Sequence, residues 1–233
     1  MSKKILITGA NGFLGSRLAK LAIKKKFNVN VLVRKNSNLK NLDAIKSKIN
    51  FFYGDLRKSN SLIDPIENSD IVFHVAADYR LWSKKTSELY DANVFGTENI
   101  LSIISKKKKK LIFTSSVATL GLIDNKISNE NTPVCYNDMI GHYKKSKYLA
   151  EDLVCKYVRK KKLNAIIVNP STPIGPGDIK PTPTGKIILD VVKKKMPAYV
   201  DTGLNFVHVD DVAEGHFLAL KYGKLGERYI LGG

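Results

Sequence analysis

Tyr143 and Lys147, which lie four positions apart, are the first residues in this sequence that could do chemistry together. On a helix, side chains at this spacing share one face, so the ammonium can approach the phenol. A phenol with an ordinary pKa of about 10 is a poor base at neutral pH, and a nearby positive charge lowers that pKa. Ser116, at the end of a predicted strand, could hold a substrate oxygen while Tyr143 transfers a proton. These residues predict an acid/base site, although such a Tyr–Lys pair alone is more often surface decoration.

A glycine-rich segment at residues 8–15, TGANGFLG, joins the first predicted strand to the first predicted helix. Gly9 permits a tight turn, Gly12 lets a pyrophosphate approach the backbone, and Gly15 lets the helix pack close to the strand. The helix N-terminus then stabilises the negative charge. The context predicts a dinucleotide site, the alternative being a turn without a ligand. The predicted cofactor-binding residues here are Thr8, Gly9, Asn11, Gly12, Phe13, Leu14 and Gly15.

The second predicted strand ends in Val33, Arg34 and Lys35, where an NAD site usually has an acidic residue. A guanidinium and an ammonium pair with a ribose 2′-phosphate but offer no acceptor to a 2′-hydroxyl. We therefore expect NADP in preference to NAD, the alternative being that both residues are only exposed cations. Asp55, in the turn after the third strand, could contact the adenine or simply form the turn.

Short β-branched runs alternate with longer amphipathic stretches, which is typical of βαβ units and a parallel sheet buried on both faces. We predict strands at residues 4–8, 28–33, 49–53, 71–74, 110–114 and 165–168. We predict helices at about residues 12–25, 39–47, 59–66, 84–105 and 143–161. Six strands with right-handed crossovers give an α/β fold with a doubly wound parallel Rossmann sheet.

The segment NPSTPIGPGDIKPTPTG, which begins at Asn169, is rich in proline and glycine, so we expect regular structure to stop there. This places a dinucleotide-binding Rossmann domain at residues 1–169. A small substrate-binding lobe at residues 170–233 contains segments that return to the Rossmann core. In this lobe we predict helices at 186–195 and 212–222 and strands at 205–208 and 229–231.

The net charge of +18 raises the question of a nucleic-acid or membrane partner. The lysine runs at 24–26, 106–110, 160–162 and 193–195 each end a helical pattern, where cations complement the helix dipole. We therefore interpret them as solvated surface and expect no specific nucleic-acid partner. With no apolar run of about 20 residues, no signal-peptide core and two cysteines without a metal or disulfide spacing, we expect a cytoplasmic protein with no transmembrane segment and no metal.

Several motifs in order resemble the extended short-chain dehydrogenase/reductase superfamily, in its NAD-dependent epimerase/dehydratase group. These motifs are TGANGFLG at 8–15, GDL at 54–56, HVAA at 74–77, NVFGT at 93–97, TSSVATLG at 114–121 and YKKSK at 143–147. The resemblance implies Ser116, not Ser115, as the catalytic hydroxyl, and a second role for Lys147 at the nicotinamide ribose. It also implies cofactor contacts at Leu56, Val75, Ala76, Ala77, Asn93, Tyr143 and Pro170.

A narrower resemblance, carried by VAADYRLW, DMIGHYKKSK and the proline-rich segment, is to hopanoid-associated sugar epimerases and to dihydroflavonol reductases. It implies a small-molecule substrate, a nucleotide sugar or a hopanoid-linked one, and a homodimer is one possible assembly. Members of that group continue beyond the position of Gly233, so we expect the substrate lobe to be incomplete here.

The residues after the fourth strand are candidates for substrate contact, together with Ser116: Asp78, Tyr79, Arg80 and Trp82. They combine an aromatic surface with an anion partner at the carboxyl edge of the sheet, where doubly wound folds bind ligands. The competing interpretation is a surface loop with one buried tryptophan. His74 and His208 are interpreted as structural histidines, and Asp210 and Asp211 as a helix N-cap.

Three functions fit these observations. The first is an NAD(P)-dependent epimerase that removes a hydride from a sugar or nucleotide sugar and returns it to the other face. The second is an NADPH-dependent carbonyl reductase that uses the same Ser116, Tyr143 and Lys147. The third is a dinucleotide-binding protein without turnover, which would not need those three residues.

Overall fold

The main sheet consists of seven parallel strands in a computed structural model that describes residues 2–124 and 126–233. Its strands are β1 (Lys4–Thr8), β2 (Asn28–Val33), β3 (Ile49–Tyr53), β4 (Ile71–His74), β5 (Lys110–Thr114), β6 (Ala165–Pro170) and β9 (Arg228–Leu231). Their order is β3-β2-β1-β4-β5-β6-β9, so the direction of winding reverses between β1 and β4. The doubly wound parallel Rossmann sheet is confirmed, and its seventh strand, β9, corresponds to the strand predicted at 229–231.

Helices cover both faces of this sheet. The α-helices are α1 (Phe13–Lys24), α2 (Asn60–Glu67), α3 (Ser87–Tyr90), α4 (Gly96–Lys107), α5 (Gly141–Lys161), α6 (Pro183–Val192) and α7 (Val209–Tyr222). Residues of α1 and α7 pack with Ile5 and Ile7 on one face, and residues of α2, α4 and α5 pack with Leu6 on the other. This alternation along β1 is the period-two pattern of a strand buried on both sides. Among the described residues, none of the helices has the length and apolar character needed to cross a bilayer.

Two predicted helices differ from the structure in type. Residues Lys40–Lys48 form a 3₁₀-helix between β2 and β3. The single helix predicted at 84–105 is divided into α3, a π-helical turn at Asp91–Phe95, and α4. Such a turn inserts an extra residue into a helix and redirects its side chains, and here it contains the buried Asn93.

A second, two-stranded sheet contradicts the expectation that regular structure stops after Asn169. Strand β6 continues to Pro170, and β7 (Thr172–Ile174) then pairs in parallel with β8 (Phe206–His208). Pro173 lies in the middle of β7, which has one partner strand, so its missing N–H interrupts no ladder on the open side. Helix α6 starts three residues before the predicted position because the Thr182 hydroxyl accepts a hydrogen bond from the Gly185 amide at 3.1 Å and caps it.

Four helices share an unusual ending. Lys26, Lys108, Lys162 and Lys194 follow α1, α4, α5 and α6 and have φ values of 63, 52, 50 and 55°. This left-handed conformation ends helices most often with glycine, because a Cβ is strained there. All four lysines are exposed, as expected for solvated helix ends.

Candidate active site

The turn between β1 and α1 brings the backbone close to the start of the helix. Gly9 has a φ of +68°, and Gly15 packs so tightly that a Cβ there would lie 2.2 Å from the Gly9 carbonyl oxygen. Helix α1 begins after Gly12 with no side-chain cap and no acidic residue in its first turn. The first N–H groups of α1 and the positive end of its dipole therefore have no side-chain cap or acidic first-turn residue as a partner. A bound pyrophosphate could take that place. Thr8, Asn11, Phe13 and Leu14, the other predicted cofactor residues of this segment, flank the turn.

The predicted segment after β4 lies directly against this turn. The backbone N–H groups of Val75 and Ala76 both donate to Thr8 Oγ1 at 3.1 Å. A Cβ on Gly9 would lie 2.8 Å from the Ala76 Cα, so only glycine allows this approach. Ala77 follows at the same half-buried edge. The structure thus places the two cofactor motifs side by side.

His74 has a structural role at the end of β4. Its Nδ1 lies 2.8 Å from Thr8 Oγ1 and its Nε2 lies 3.0 Å from Thr97 Oγ1, whose hydroxyl is 2.6 Å from the Asn93 carbonyl oxygen. Since the Thr97 hydroxyl donates to that carbonyl, it accepts from His74, which assigns the proton to Nε2. Burial, reinforced by the Lys147 charge, lowers the pKa of His74 to about 3. His74 is therefore a neutral structural histidine.

Arg34 and Lys35 are exposed just beyond β2, and no salt bridge involves them within the described parts of the chain. Asp55 is engaged by Arg57, whose Nη2 donates to its Oδ2 at 2.6 Å and whose Nε donates to its Oδ1 at 3.0 Å. This pair lowers the pKa of Asp55 to about 2, with a smaller contribution from Arg34. The edge at β2 and β3 is therefore cationic and open to an added phosphate.

Three other predicted cofactor residues have structural contacts of their own. The buried Asn93 accepts from the Asp78 amide at 2.7 Å and donates to the Asp78 carbonyl oxygen at 2.9 Å, which fixes the loop after β4. Leu56 packs against Gly96, where a Cβ would lie 2.7 Å from the Leu56 Cβ. Pro170 is buried at the end of β6. These contacts set the walls of the site.

Tyr143 lies in the first turn of α5 and Ser116 just after β5, so both stand at the carboxyl edge of the sheet. Ser116 accepts a hydrogen bond from the Ala118 amide at 3.1 Å through its Oγ, which caps the short turn Val117–Thr119. Burial raises the pKa of Tyr143, and hydrogen bonding with Ser116 acts in the opposite direction. The expectation that the Lys147 charge lowers the pKa of this phenol is not met in the structure, where burial raises that pKa.

Lys147 is buried, with 4% of its surface exposed. Its Nζ donates to the Thr114 carbonyl oxygen at 2.8 Å and lies 5.0 Å from the centre of the Phe113 ring. Burial lowers the pKa of Lys147 to about 8, while the negative charge of Glu151 raises it. Lys147 is thus an ammonium buried between the ends of β4 and β5, with a lowered pKa. These two properties make it a candidate for an acid/base role.

The comparisons with known proteins identify the family of this chain. A family model described as NAD dependent epimerase/dehydratase matches residues 5–232. The chain belongs to this family. Its fold, its sequence and its motifs make it an enzyme of the extended short-chain dehydrogenase type, as the resemblance implied.

Individual members of the epimerase/dehydratase family differ in their named activities. A protein of Synechocystis sp. named putative dihydroflavonol 4-reductase is 42% identical over 238 residues, covering 100% of this chain and 68% of its own length. An undecaprenol-linked N-acetylglucosaminyl diphosphate 4-epimerase of Escherichia coli O157:H7 is 38% identical over 168 residues, covering 69% of this chain and 45% of its own. The crystal structure of gox2253 superposes with a TM-score of 0.94 at 49% identity, covering 100% of this chain and 70% of its own.

The residues predicted to contact substrate in the loop after β4 are partly engaged with one another. Arg80 Nη2 donates to Asp78 Oδ2 at 2.6 Å and to Glu88 Oε2 at 2.9 Å. Tyr79 is 39% exposed and Trp82 is 74% exposed, which contradicts the alternative of a buried tryptophan. The Arg80 guanidinium is therefore paired with carboxylates of the neighbouring chain segment, and the exposed side chains of this loop are the aromatic Tyr79 and Trp82.

Two residues of the proline-rich segment act on the loop after β4 and were not predicted from the sequence. Burial raises the pKa of Tyr79, and the Asp178 charge adds to the rise. Against the effect of burial, hydrogen bonds from Arg80 and, to a smaller extent, the Lys180 charge lower the pKa of Asp78. The Asn41 amide donates to the Gly177 carbonyl oxygen at 3.0 Å and so ties the proline-rich segment to the Rossmann domain. No local pattern announces these contacts, because they join segments far apart in sequence.

One helix-start prediction is corrected by the structure. His208, not Asp210 or Asp211, caps α7: its Nδ1 accepts from the Asp210 amide at 3.3 Å. The Asp210 carboxylate instead receives two hydrogen bonds from Arg17 of α1, one of them at 2.6 Å from Nη2. This ion pair joins the cofactor helix to α7.

Proposed function

We propose that this chain binds NADP, in preference to NAD, and catalyses reversible oxidation of a hydroxyl group on a sugar or nucleotide sugar, as an epimerase. The observation that carries the proposal is the buried Lys147 ammonium, one helical turn from Tyr143 and beside the strand end that carries Ser116. The arrangement stands at the same edge of the sheet as the glycine turn.

The preference for NADP is supported by the cationic edge at the end of β2. Arg34 and Lys35 are exposed there, and the nearby Asp55 carboxylate is already bound by Arg57. The end of β2 therefore presents a guanidinium to a 2′-phosphate and carries no carboxylate that would accept from a ribose 2′-hydroxyl.

The proposed chemistry divides between the residues of the chain and the nicotinamide. A bound nicotinamide ring supplies the site of hydride transfer. Ser116 holds the substrate oxygen by a hydrogen bond, and Tyr143 takes the hydroxyl proton as the carbon–hydrogen bond breaks, then returns a proton when the alcohol forms again. The Lys147 charge stabilises the phenolate that accepts this proton and that forms again when the proton is returned. Return of the hydride to the opposite face gives the epimer with no net oxidation.

A carbonyl reductase is the second candidate, and the name of the Synechocystis relative favours it. The same three residues would serve, but the cofactor would be consumed with each turnover. The sugar assignment is supported by the name of the Escherichia coli relative and by the exposed aromatic surface of Tyr79 and Trp82 next to the Asp78–Arg80 pair.

A substrate screen that follows two signals separates these functions. Nucleotide sugars and carbonyl compounds are incubated with the protein and each cofactor. Epimerisation is followed by NMR, and the absorbance of the cofactor is recorded at the same time. Epimer formation at constant absorbance supports the epimerase, and stoichiometric loss of NADPH supports the reductase. Tyr143→Phe should remove either activity. Tight cofactor binding with no turnover on any compound, or turnover that survives in Tyr143→Phe, would contradict the proposal.

A further inference from the structure

Glu151 is a buried carboxylate that the proposed chemistry does not use. It lies on α5 one turn beyond Lys147, and 5% of its surface is exposed. Tyr143, Lys147 and Glu151 follow one another at intervals of four residues, so they share one face of the helix. A buried carboxylate is unfavourable unless other groups compensate its charge, so its partners indicate what it does.

Three side chains from three different elements compensate this charge. Glu151 Oε2 accepts from Thr119 Oγ1 at 2.8 Å and from Asn169 Nδ2 at 3.0 Å. Glu151 Oε1 accepts from Arg228 Nη1 at 3.2 Å. Thr119 belongs to the turn after β5, Asn169 to β6 and Arg228 to β9. The carboxylate therefore joins the ends of three neighbouring strands of the main sheet.

Two of these partners also hold the backbone of Ser116. The Ser116 carbonyl oxygen lies 3.0 Å from Asn169 Nδ2 and 2.8 Å from Thr119 Oγ1. The Thr119 hydroxyl has one proton, so it donates either to Ser116 or to Glu151, and the two protons of the Asn169 amide complete whichever bond remains. In both arrangements the Glu151 carboxylate and the Ser116 carbonyl are linked through the same two side chains.

Glu151 also acts on Lys147, which lies one helical turn earlier on the same face of α5. The groups that contact or act on the Lys147 ammonium are the Thr114 carbonyl oxygen and the Phe113 ring from β5, the neutral His74 from β4 and the Glu151 charge from α5. Glu151 is the carboxylate among them, and its charge raises the pKa of Lys147 against the effect of burial. The same charge raises the pKa of Cys155 one turn further on, with Arg228 opposing it.

We propose that Glu151, anchored by Arg228, is a positioning residue that holds both the Ser116 segment and the Lys147 ammonium in one arrangement. The inference rests on the proposed function for its catalytic consequence, but the coupling that it predicts between Glu151 and Lys147 can be measured without substrate. Strand β9, which lies near the end of the chain after α7, thereby supplies the cation that anchors Glu151.

The coupling is measured by NMR titration of the whole protein labelled with [6-¹³C]lysine, with Lys147→Met used to assign the resonance. In Glu151→Gln, which keeps the size of the side chain and removes its charge, the midpoint of Lys147 should fall by about one pH unit. Asp152→Asn is the matched control, since Asp152 is the next residue and pairs on the surface with Lys156 at 2.5 Å. It should leave the Lys147 midpoint unchanged.

Two more variants separate charge from position. Arg228→Gln removes the cation that competes for Glu151, so the Lys147 midpoint should move upward; opposite shifts in the two variants are not expected of a merely structural role. Thr119→Val removes one of the two links between Glu151 and the Ser116 carbonyl, leaves the Asn169 link in place and keeps the Glu151 charge. It should lower kcat by up to about 100-fold on a substrate found by the screen, with KM and the Lys147 midpoint nearly unchanged.

An equal Lys147 midpoint in Glu151→Gln and Asp152→Asn would overturn the proposal. If Glu151→Gln does not fold, Arg228→Gln decides, since no shift or a downward shift there contradicts the coupling. Failure of the proposed function is recognised separately, because Tyr143→Phe would then keep its turnover whatever the titration of Lys147 shows.

Discussion

The Lys147 ammonium donates a hydrogen bond to the Thr114 carbonyl oxygen at 2.8 Å, two residues before Ser116. The side-chain hydroxyl of Thr114 lies 2.8 Å from Nε2 of the buried His216 on α7. The Nδ1 of His216 in turn donates to the Val212 carbonyl oxygen at 2.7 Å. The last residue of β5 is thus held by α5 on one face of the sheet and by α7 on the other. Lys147, the lysine of the proposed acid/base site, is therefore also part of the structural framework.

Lys147→Met tests the dual role of this residue. The variant should lose turnover and bind NADPH more weakly, because the ammonium no longer stabilises the phenolate or reaches the cofactor. The fold should survive, since Glu151 keeps Arg228 as its charged partner. NADPH fluorescence titration and thermal unfolding check both points, with Lys144→Met as the control on the same helix. Turnover equal to that of the control would contradict the role.

Tyr143→Phe removes the proton carrier and keeps the ring. Turnover should fall by about 10²-fold to 10⁴-fold, the usual contribution of a positioned acid/base group, while cofactor binding persists. In the free protein the phenol should titrate above its ordinary range, because burial raises its pKa. An ultraviolet difference titration of wild type against the variant measures this directly. Tyr148→Phe on the same helix should behave as wild type in the activity assay.

Arg34→Ala tests the cofactor preference. Loss of one charge-assisted contact to the 2′-phosphate costs about 1.5 to 3 kcal/mol, or roughly 10-fold to 150-fold in NADP affinity, and should leave NAD binding nearly unchanged. Both cofactors are titrated into wild type, Arg34→Ala and the exposed control Lys48→Ala. Equal affinity of the wild type for NAD and NADP would refute the assignment.

Acid should destabilise the protein within a defined range of pH. Burial lowers the pKa of His216 to about 4 and that of His74 to about 3, both below the ordinary value of about 6.5. Below pH 6.5 the unfolded chain takes up protons that the folded chain does not, so the free energy of unfolding falls as pH falls, by about 1.4 kcal/mol per pH unit for each histidine.

This loss should continue down to about pH 4, where His216 begins to accept a proton in the folded state. Asp55, with a pKa of about 2, contributes only at lower pH. Denaturant unfolding from pH 7 to pH 4 measures the slope. His216→Gln should remove about 1.4 kcal/mol per pH unit from it, whereas His142→Gln at an exposed position should not. An unchanged slope in His216→Gln would contradict the argument.

The lysine runs should give only weak binding to random duplex DNA. The runs are exposed helix ends distributed over the chain, so counterion release is their one source of affinity, and the binding should disappear as salt rises. Fluorescence anisotropy over a salt series checks this. Tight, sequence-selective binding at physiological salt would require a nucleic-acid function instead.

The bounds of β1 to β5 were predictable because each is a short β-branched run between turn residues, a local signal that a buried parallel sheet requires. Strand β7 was not predictable. Its proline suggests a loop, and it forms through pairing with β8, more than thirty residues away. The π-helical turn at Asp91–Phe95 was likewise invisible, since its reason is the contact between Asn93 and the Asp78 backbone.

For the site, residue spacing predicted Tyr143 and Lys147 on one helix face and left their surroundings undetermined. The burial that governs both pKa values depends on how α5 packs against β4 and β5. Glu151 had a usable signal, since it continues the same four-residue interval. Its partners Asn169 and Arg228 did not, because each comes from a distant strand.

The four lysines that end α1, α4, α5 and α6 in a left-handed conformation have a practical consequence. At each one a glycine would relieve strain of about 1 kcal/mol, partly offset by the greater freedom of glycine in the unfolded chain. None of the four belongs to the cofactor turn or to the Ser116, Tyr143 and Lys147 group. The substitutions Lys108→Gly and Lys162→Gly would therefore give a more stable protein. Variants of the proposed acid/base residues could be purified and measured in this background even where they unfold the natural chain.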